Sequence, residues 1–162
     1  MPYSCRGRCF CPSRHEKRAL ETAAWVAEHV CAEVPHRQFV FTIPKRLRIY
    51  FRFDRRLLGE LCRAAAHTVI TVYRTASGRP DGVPGMVGAI QTFGQLIHAH
   101  PHIHALVTEG VFLPDLSACG HAQAGGTCLP LPKLATDPFL KLWEQEVFAL
   151  LLAGPSRNFQ AS

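Results

Sequence analysis

Residues 96–107 read Leu96-Ile97-His98-Ala99-His100-Pro101-His102-Ile103-His104-Ala105-Leu106-Val107. Four histidines fall in this stretch, at every second position from His98 to His104. Side chains alternate along a strand, so an extended backbone would carry all four imidazoles on one face. Pro101 breaks a regular helix. The apolar run Ala105–Val107 follows at once, so 102–112 reads as a strand with Ile103 turned toward the opposite layer. Two imidazoles two residues apart on one face, His102 and His104, are natural partial ligands for a divalent ion. The plain alternative is a set of surface or core histidines; the clustering argues against it.

Working outward, Met86 to Phe93 reads as a second strand. Gln38 to Ile43 (QFVFTI) reads as another, closed by Pro44. Helical spacing of apolar residues appears three times. From about Ala19 it runs through Leu20, Ala23, Ala24, Ala27, Val30 and Cys31, and it ends before Pro35. Residues 55–74 place Leu57, Leu58, Leu61, Ala64, Ala65, Thr68, Val69 and Val72 on one broad face, with Asp54 as N-cap. Residues 138–152 turn Phe139, Leu142, Trp143, Val147, Leu150 and Leu151 inward. Ser77 to Gly82 is a turn-rich break, and 113–138 an irregular insertion. Strands packed against long helices make an α+β fold, with a partly antiparallel sheet and flanking helices.

The chain has 162 residues, 48% hydrophobic and 19% charged, enough to bury the core of one domain. Its net charge is +6, with 18 basic residues, all arginine except Lys17, Lys45, Lys133 and Lys141. Arginine grips phosphate with two donors at once, so a nucleic-acid partner fits. A base-rich composition inherited from a GC-rich genome fits the charge equally well. No signal-peptide pattern opens the chain, and the apolar run Val147–Ala153 is too short to span a membrane. Seven cysteines without a secretion signal suit a reducing compartment, so a cytoplasmic location is expected.

Between the first strand and the second helix, basic residues interleave with aromatic ones: Lys45, Arg46, Arg48 and Arg52, then Arg55, around Tyr50, Phe51 and Phe53. Such a patch can follow phosphates while rings stack on unpaired bases. The other reading is a solvated loop leading into the helix, with Phe51 and Phe53 in the core. Gln91, near the histidine strand, can orient a histidine or a phosphate, or be an ordinary sheet residue. Glu109 falls on the opposite parity from His102 and His104 and is left out of the site. Cys119, His121 and Cys128 lie in the glycine-rich insertion, where incidental thiols are the safer reading.

Two stretches resemble a known family. GAIQTFGQLIHAHPHIHALVTEGVFLPD (88–115) and VPHRQFVFTIPKRLRIYFRFDRRLLGELCRAA (34–65) look like the core of the two-tyrosine rolling-circle (HUH) transposases of bacterial insertion sequences. The resemblance covers roughly residues 4–152, with His102-Ile103-His104 as the histidine–hydrophobe–histidine motif. It implies an incomplete HUH-endonuclease-like core. It also implies a divalent metal, Mg or Mn, held by His102 and His104 with a third polar ligand. The partner would be single-stranded DNA at mobile-element ends, which favours a DNA role for Lys45, Arg46, Arg48, Arg52 and Arg55. In the family a tyrosine hydroxyl attacks the scissile phosphate and leaves a 5′-phosphotyrosine link, which is DNA transposition by cleavage and rejoining.

The chain departs from that pattern in two places. The family's tyrosine pair follows the histidine strand, whereas Tyr3, Tyr50 and Tyr73 all precede His102. No catalytic nucleophile is carried over, and the chain alone is expected to be inactive. Family members also begin with a cysteine-rich zinc region. Here Cys5 and Cys11 match it, Arg14 replaces its last cysteine, and Cys9 and His15 are the remaining candidate zinc ligands. The expected organisation is a remnant of that zinc region at 1–18, a partial transposase domain at 19–152 and an unstructured tail at 153–162. Both ends look cut, as in a remnant of a decayed element. The alternative function is a small metal-binding protein, built on Cys5–His15 and His98–His104, without a DNA role. Target sequence and oligomeric state are not legible.

Overall fold

The computed structural model describes residues 12–93, 99–114 and 127–153, with side chains over 16–93, 99–114 and 127–152. Two compact units divide the chain, Met1–Glu33 and Val34–Ser162. In the first, helix α1 spans Pro12–His29, starting before the expected Ala19. Pro12 suits a first turn, where its missing N–H costs nothing. Trp25 and His29 stack one turn apart at 5.6 Å, and His29 Nδ1 meets the Trp25 carbonyl at 3.1 Å.

The second unit is α+β. Its elements are β1 (His36–Thr42), a 3-10 turn (Lys45–Leu47), α2 (Arg48–Phe53), α3 (Arg56–Ser77), β2 (Met86–Phe93), β3 (Ala99–Thr108), β4 (Gly110–Phe112), β5 (Cys128–Pro130) and α4 (Asp137–Ala153). The main sheet has the order β1-β3-β2, both pairings antiparallel, so the histidine strand is central. A small β4-β5 hairpin forms a second sheet.

Helix α3 buries Leu57, Leu61, Ala64, Ala65, Thr68, Val69 and Val72 of the face its spacing predicts, leaves Leu58 half-buried, and adds Tyr73. It stops at Gly78, whose φ of 65° is the left-handed conformation that glycine adopts without strain. From the sheet, Phe41, Ile103, Ala105 and Val107 enter the same core, and α4 supplies Phe139, Trp143, Val147 and Leu150. Each fully buried aliphatic side chain, such as Leu61 or Ile103, contributes about 1.5–3 kcal/mol. Phe39 packs on Phe139 at 4.8 Å and Phe41 on Trp143 at 5.0 Å, fixing α4 against β1.

The structure corrects three sequence expectations. The strand expected to run from 102 to 112 breaks at Glu109. There the Glu109 N–H donates to the Pro35 carbonyl at 2.7 Å, and Thr108 Oγ1 donates to the Gly110 carbonyl at 3.0 Å. The chain then turns away as β4. The insertion is not wholly irregular, since it contributes β5. Gly110 permits that pairing: a Cβ there would lie 2.5 Å from the Leu129 carbonyl oxygen. Finally, the basic segment expected as a loop is helical. Leu47 and Phe51, four apart, both turn inward and pin it to the core, while Phe53 is 80% exposed rather than buried.

Candidate metal and nucleic-acid site

Strand β3 divides its side chains between two environments. Ile103, Ala105 and Val107 are at most 1% exposed beneath the helices, so alternation sends His102, His104 and Leu106 to the other face. The register fills that face row by row. Thr42 and Gln91 flank His102, Val40 and Ala89 flank His104, and Gln38 and Val87 flank Leu106. Among the described residues of this unit nothing covers it: Val40 is 50% exposed, and Thr42, Ala89 and Gln91 are exposed as well.

The ladder is regular from His102 onward, and the β2 pairing then slips, with Gln91 opposite His102 but Phe93 opposite Ala99. The extra residue lies on the β3 side, where Pro101 has no N–H to offer a ladder. Despite the bulge, the rings of His100, His102 and His104 form a row, with 5.0 Å between successive centroids. His98 lies outside the described residues.

Hydrogen bonds orient the two imidazoles. His102 Nδ1 lies 2.6 Å from the His100 carbonyl oxygen. A carbonyl only accepts, so Nδ1 carries the proton and Nε2 keeps its lone pair. His104 Nδ1 lies 3.2 Å from Gln38 Nε2, an amide nitrogen that donates, so as placed Nδ1 accepts. A half-turn of that amide, exchanging its nitrogen and oxygen, gives His104 the tautomer of His102. A backbone carbonyl or amide that fixes one ring nitrogen and frees the other is the usual support for a metal-binding histidine. With that half-turn the donor set fits two imidazole ligands, each through Nε2, to one ion. No group of three His, Cys, Asp or Glu side chains suited to a metal occurs among the described residues. Gln91, across from His102, is the nearest polar neighbour in register.

Other candidates fall elsewhere. Cys5, Cys9 and Cys11 lie outside the described residues, and His15 is placed only as part of the α1 backbone. Cys119 and His121 also lie outside, while Cys128 is a half-buried free thiol in β5. Glu109 is committed to structure: Arg37 Nε donates to it at 3.2 Å and Arg37 Nη1 to the Leu134 carbonyl at 3.1 Å. His67 pairs with Glu146 of α4 at 3.0 Å. Tyr73 is 2% exposed, and burial pushes its phenol above the usual tyrosine range. Tyr50 is exposed on α2.

The structure gathers the five basic candidates around α2. Lys45 and Arg46 lie in the preceding 3-10 turn, Arg48 and Arg52 in the helix, and Arg55 just after it. Arg48 is half-buried and donates to the Ile43 carbonyl at 3.4 Å, so it braces the turn. Lys45, Arg46, Arg52 and Arg55 are exposed. Gln38 is the site residue that sequence reasoning missed. Only the β1–β3 register places it beside His104, and no local signal carries that register.

Comparison with known proteins converges on one family. Residues 85–145 match the family model described as "Y2_Tnp: Putative transposase". The chain is 34% identical over 100 residues to "Transposase for insertion sequence element IS801" of Pseudomonas savastanoi pv. phaseolicola, covering 62% of this chain and 23% of the relative. It is also 34% identical over 117 residues to "Putative transposase y4qJ" of Sinorhizobium fredii (strain NBRC 101917 / NGR234), covering 69% of this chain and 28% of the relative. The chain therefore spans about a quarter of the length of these curated relatives. No solved structure matches it. The family match runs across β2, the histidine strand and the first half of α4, and over these stretches the chain is similar to transposases of bacterial insertion sequences.

Proposed function

We propose that this chain is the metal- and single-strand-holding part of a rolling-circle transposase, built on an HUH-type sheet and lacking a nucleophile of its own. The observation that carries the reading is the pair His102 and His104, side by side on the open face of the central strand with their Nδ1 atoms hydrogen-bonded. A divalent ion, Mg or Mn, held there would act as a Lewis acid on a phosphate of the DNA. The chain's own residues do the rest. His100 and Gln38 set the imidazoles, Gln91 supplies a polar neighbour, and Lys45, Arg46, Arg52 and Arg55 attract the backbone. No tyrosine follows His102, and Tyr73 is sealed in the core. Strand cleavage through a phosphotyrosine link is therefore not expected of this chain. The names of its relatives support a role in moving insertion sequences.

Fluorescence anisotropy with a labelled single-stranded oligonucleotide tests this. The protein should bind more tightly with Mn²⁺ than with EDTA, and affinity should fall steeply as salt rises, because phosphate contacts release counterions. The double variant His102→Ala, His104→Ala should lose the Mn²⁺ enhancement while keeping the salt-sensitive binding. No covalent protein–DNA adduct should form. A metal-binding protein without a DNA role would take up Mn²⁺ and show no oligonucleotide binding at any salt concentration.

A further inference from the structure

Helix α2 shows solvent a surface that the core does not explain. Successive residues of a helix turn by about 100°, so Arg52, Ile49, Phe53 and Tyr50 follow one another around the side opposite Phe51. Phe51 is 2% exposed and anchors the helix, whereas Ile49 is 51%, Tyr50 55% and Phe53 80% exposed. Tyr50 and Phe53 are three residues apart and therefore neighbours on the helix surface. Ile49, Tyr50 and Phe53 thus make one contiguous apolar patch on a short helix, and such patches mark interaction sites.

Charge narrows what that something is. From Val34 to Phe53 the sequence has no acidic residue, and it carries Arg37, Lys45, Arg46, Arg48 and Arg52. Among the described residues, no hydrogen bond or ion pair engages the side chains of Lys45, Arg46, Arg52 or Arg55. By contrast, Arg37, Arg56, Arg63 and Arg79 each hold a carboxylate. A second copy of this surface would bring like charges together. A polyanion with apolar flat faces satisfies both the cations and the rings. Chain order agrees, since β1 ends at Thr42, opposite His102, and only a short turn separates it from α2.

We infer that Tyr50 and Phe53, framed by Arg46 and Arg52, form a platform on which unpaired bases of single-stranded DNA stack beside the histidine face. In a duplex, base faces are already stacked on each other, so the platform selects single strands. Stacking is tolerant of sequence because every base has a π-face. This rests on the DNA-binding reading above and adds to it the residues that distinguish bases from backbone.

The test compares three probes of equal length by anisotropy: a single strand, its duplex, and an abasic sugar-phosphate strand. The variant Tyr50→Ala, Phe53→Ala should weaken single-strand binding roughly tenfold or more while leaving the abasic strand unchanged. The ring-preserving variant Tyr50→Phe, Phe53→Tyr should restore it. Both positions are exposed, so the melting temperature of either variant should match the parent. If the alanine variant binds the single strand like the parent, or loses the abasic strand equally, the platform is wrong and the DNA reading stands. If the parent binds no single strand at all, the DNA reading falls and the platform with it. A parent that sediments as a dimer while the alanine variant is monomeric would assign the rings to self-association and overturn the inference.

Discussion

Trp143 ties α4 to the sheet through one polar atom. Its indole Nε1–H donates to the Thr42 carbonyl at 2.8 Å, and its ring lies against Phe41. Thr42 is the residue opposite His102, so this bond helps hold the end of β1 from which the site and α2 depart. Replacing Trp143 with Phe keeps a ring in the core but strands the Thr42 carbonyl. The loss of one part-buried hydrogen bond and some volume should cost about 1–3 kcal/mol. Urea unfolding checks it: the midpoint should fall with an unchanged slope. An unaltered midpoint would mean that ring packing alone positions α4. At this same scale the site was partly legible. The parity of His102, Ile103 and His104 foretold which way each side chain points, whereas Gln38 required a cross-strand register that is a tertiary fact.

Helix α3 is not capped by Asp54 as its sequence suggests: Arg55 is the N-cap residue and makes no side-chain cap bond, and Asp54 acts on the first helical residue instead. The carboxylate accepts the Arg56 backbone N–H at 2.9 Å and grips the Arg56 guanidinium at 3.1 and 2.9 Å. The Arg56 side chain first, and then its backbone N–H, hold the Asp54 carboxyl below the usual aspartate range. A carboxyl that is more acidic folded than unfolded stabilises the fold above its unfolded pKa of about 3.9. That contribution disappears as pH falls through the lower folded value. Asp54→Ala should therefore melt below the parent at pH 7, and the gap should close as pH drops below about 4. A gap independent of pH would show that the ionised Asp54 carboxylate contributes nothing. Among the elements, α3 and β2 were legible because a strong period of 3.6 or 2 dominates each. Helix α2 was not, since only Leu47 and Phe51 face inward and two residues make no period. The β3–β4 break escaped because it is set by the distant Pro35 carbonyl. Strand β5 escaped because three residues become a strand only when β4 is there to pair.

On the larger scale, among the described residues of the second unit, one sheet face is sealed by α3 and α4 and the other shows its histidines and glutamines. The net charge of +6 gives the chain a field that draws polyanions. None of the described helices is long and apolar enough to cross a membrane. The two faces divide the labour: the apolar side holds the fold, which leaves the polar side free for chemistry. The proposed metal site therefore lies on the open face, at His102 and His104, and at no other histidine described. Paramagnetic broadening of imidazole resonances under added Mn²⁺ examines this most directly. Signals of His102 and His104 should broaden first, at low metal ratios, with those of His29 and His67 still sharp. Uniform broadening of all histidines, or broadening elsewhere that persists unchanged in the His102→Ala, His104→Ala protein, would contradict it.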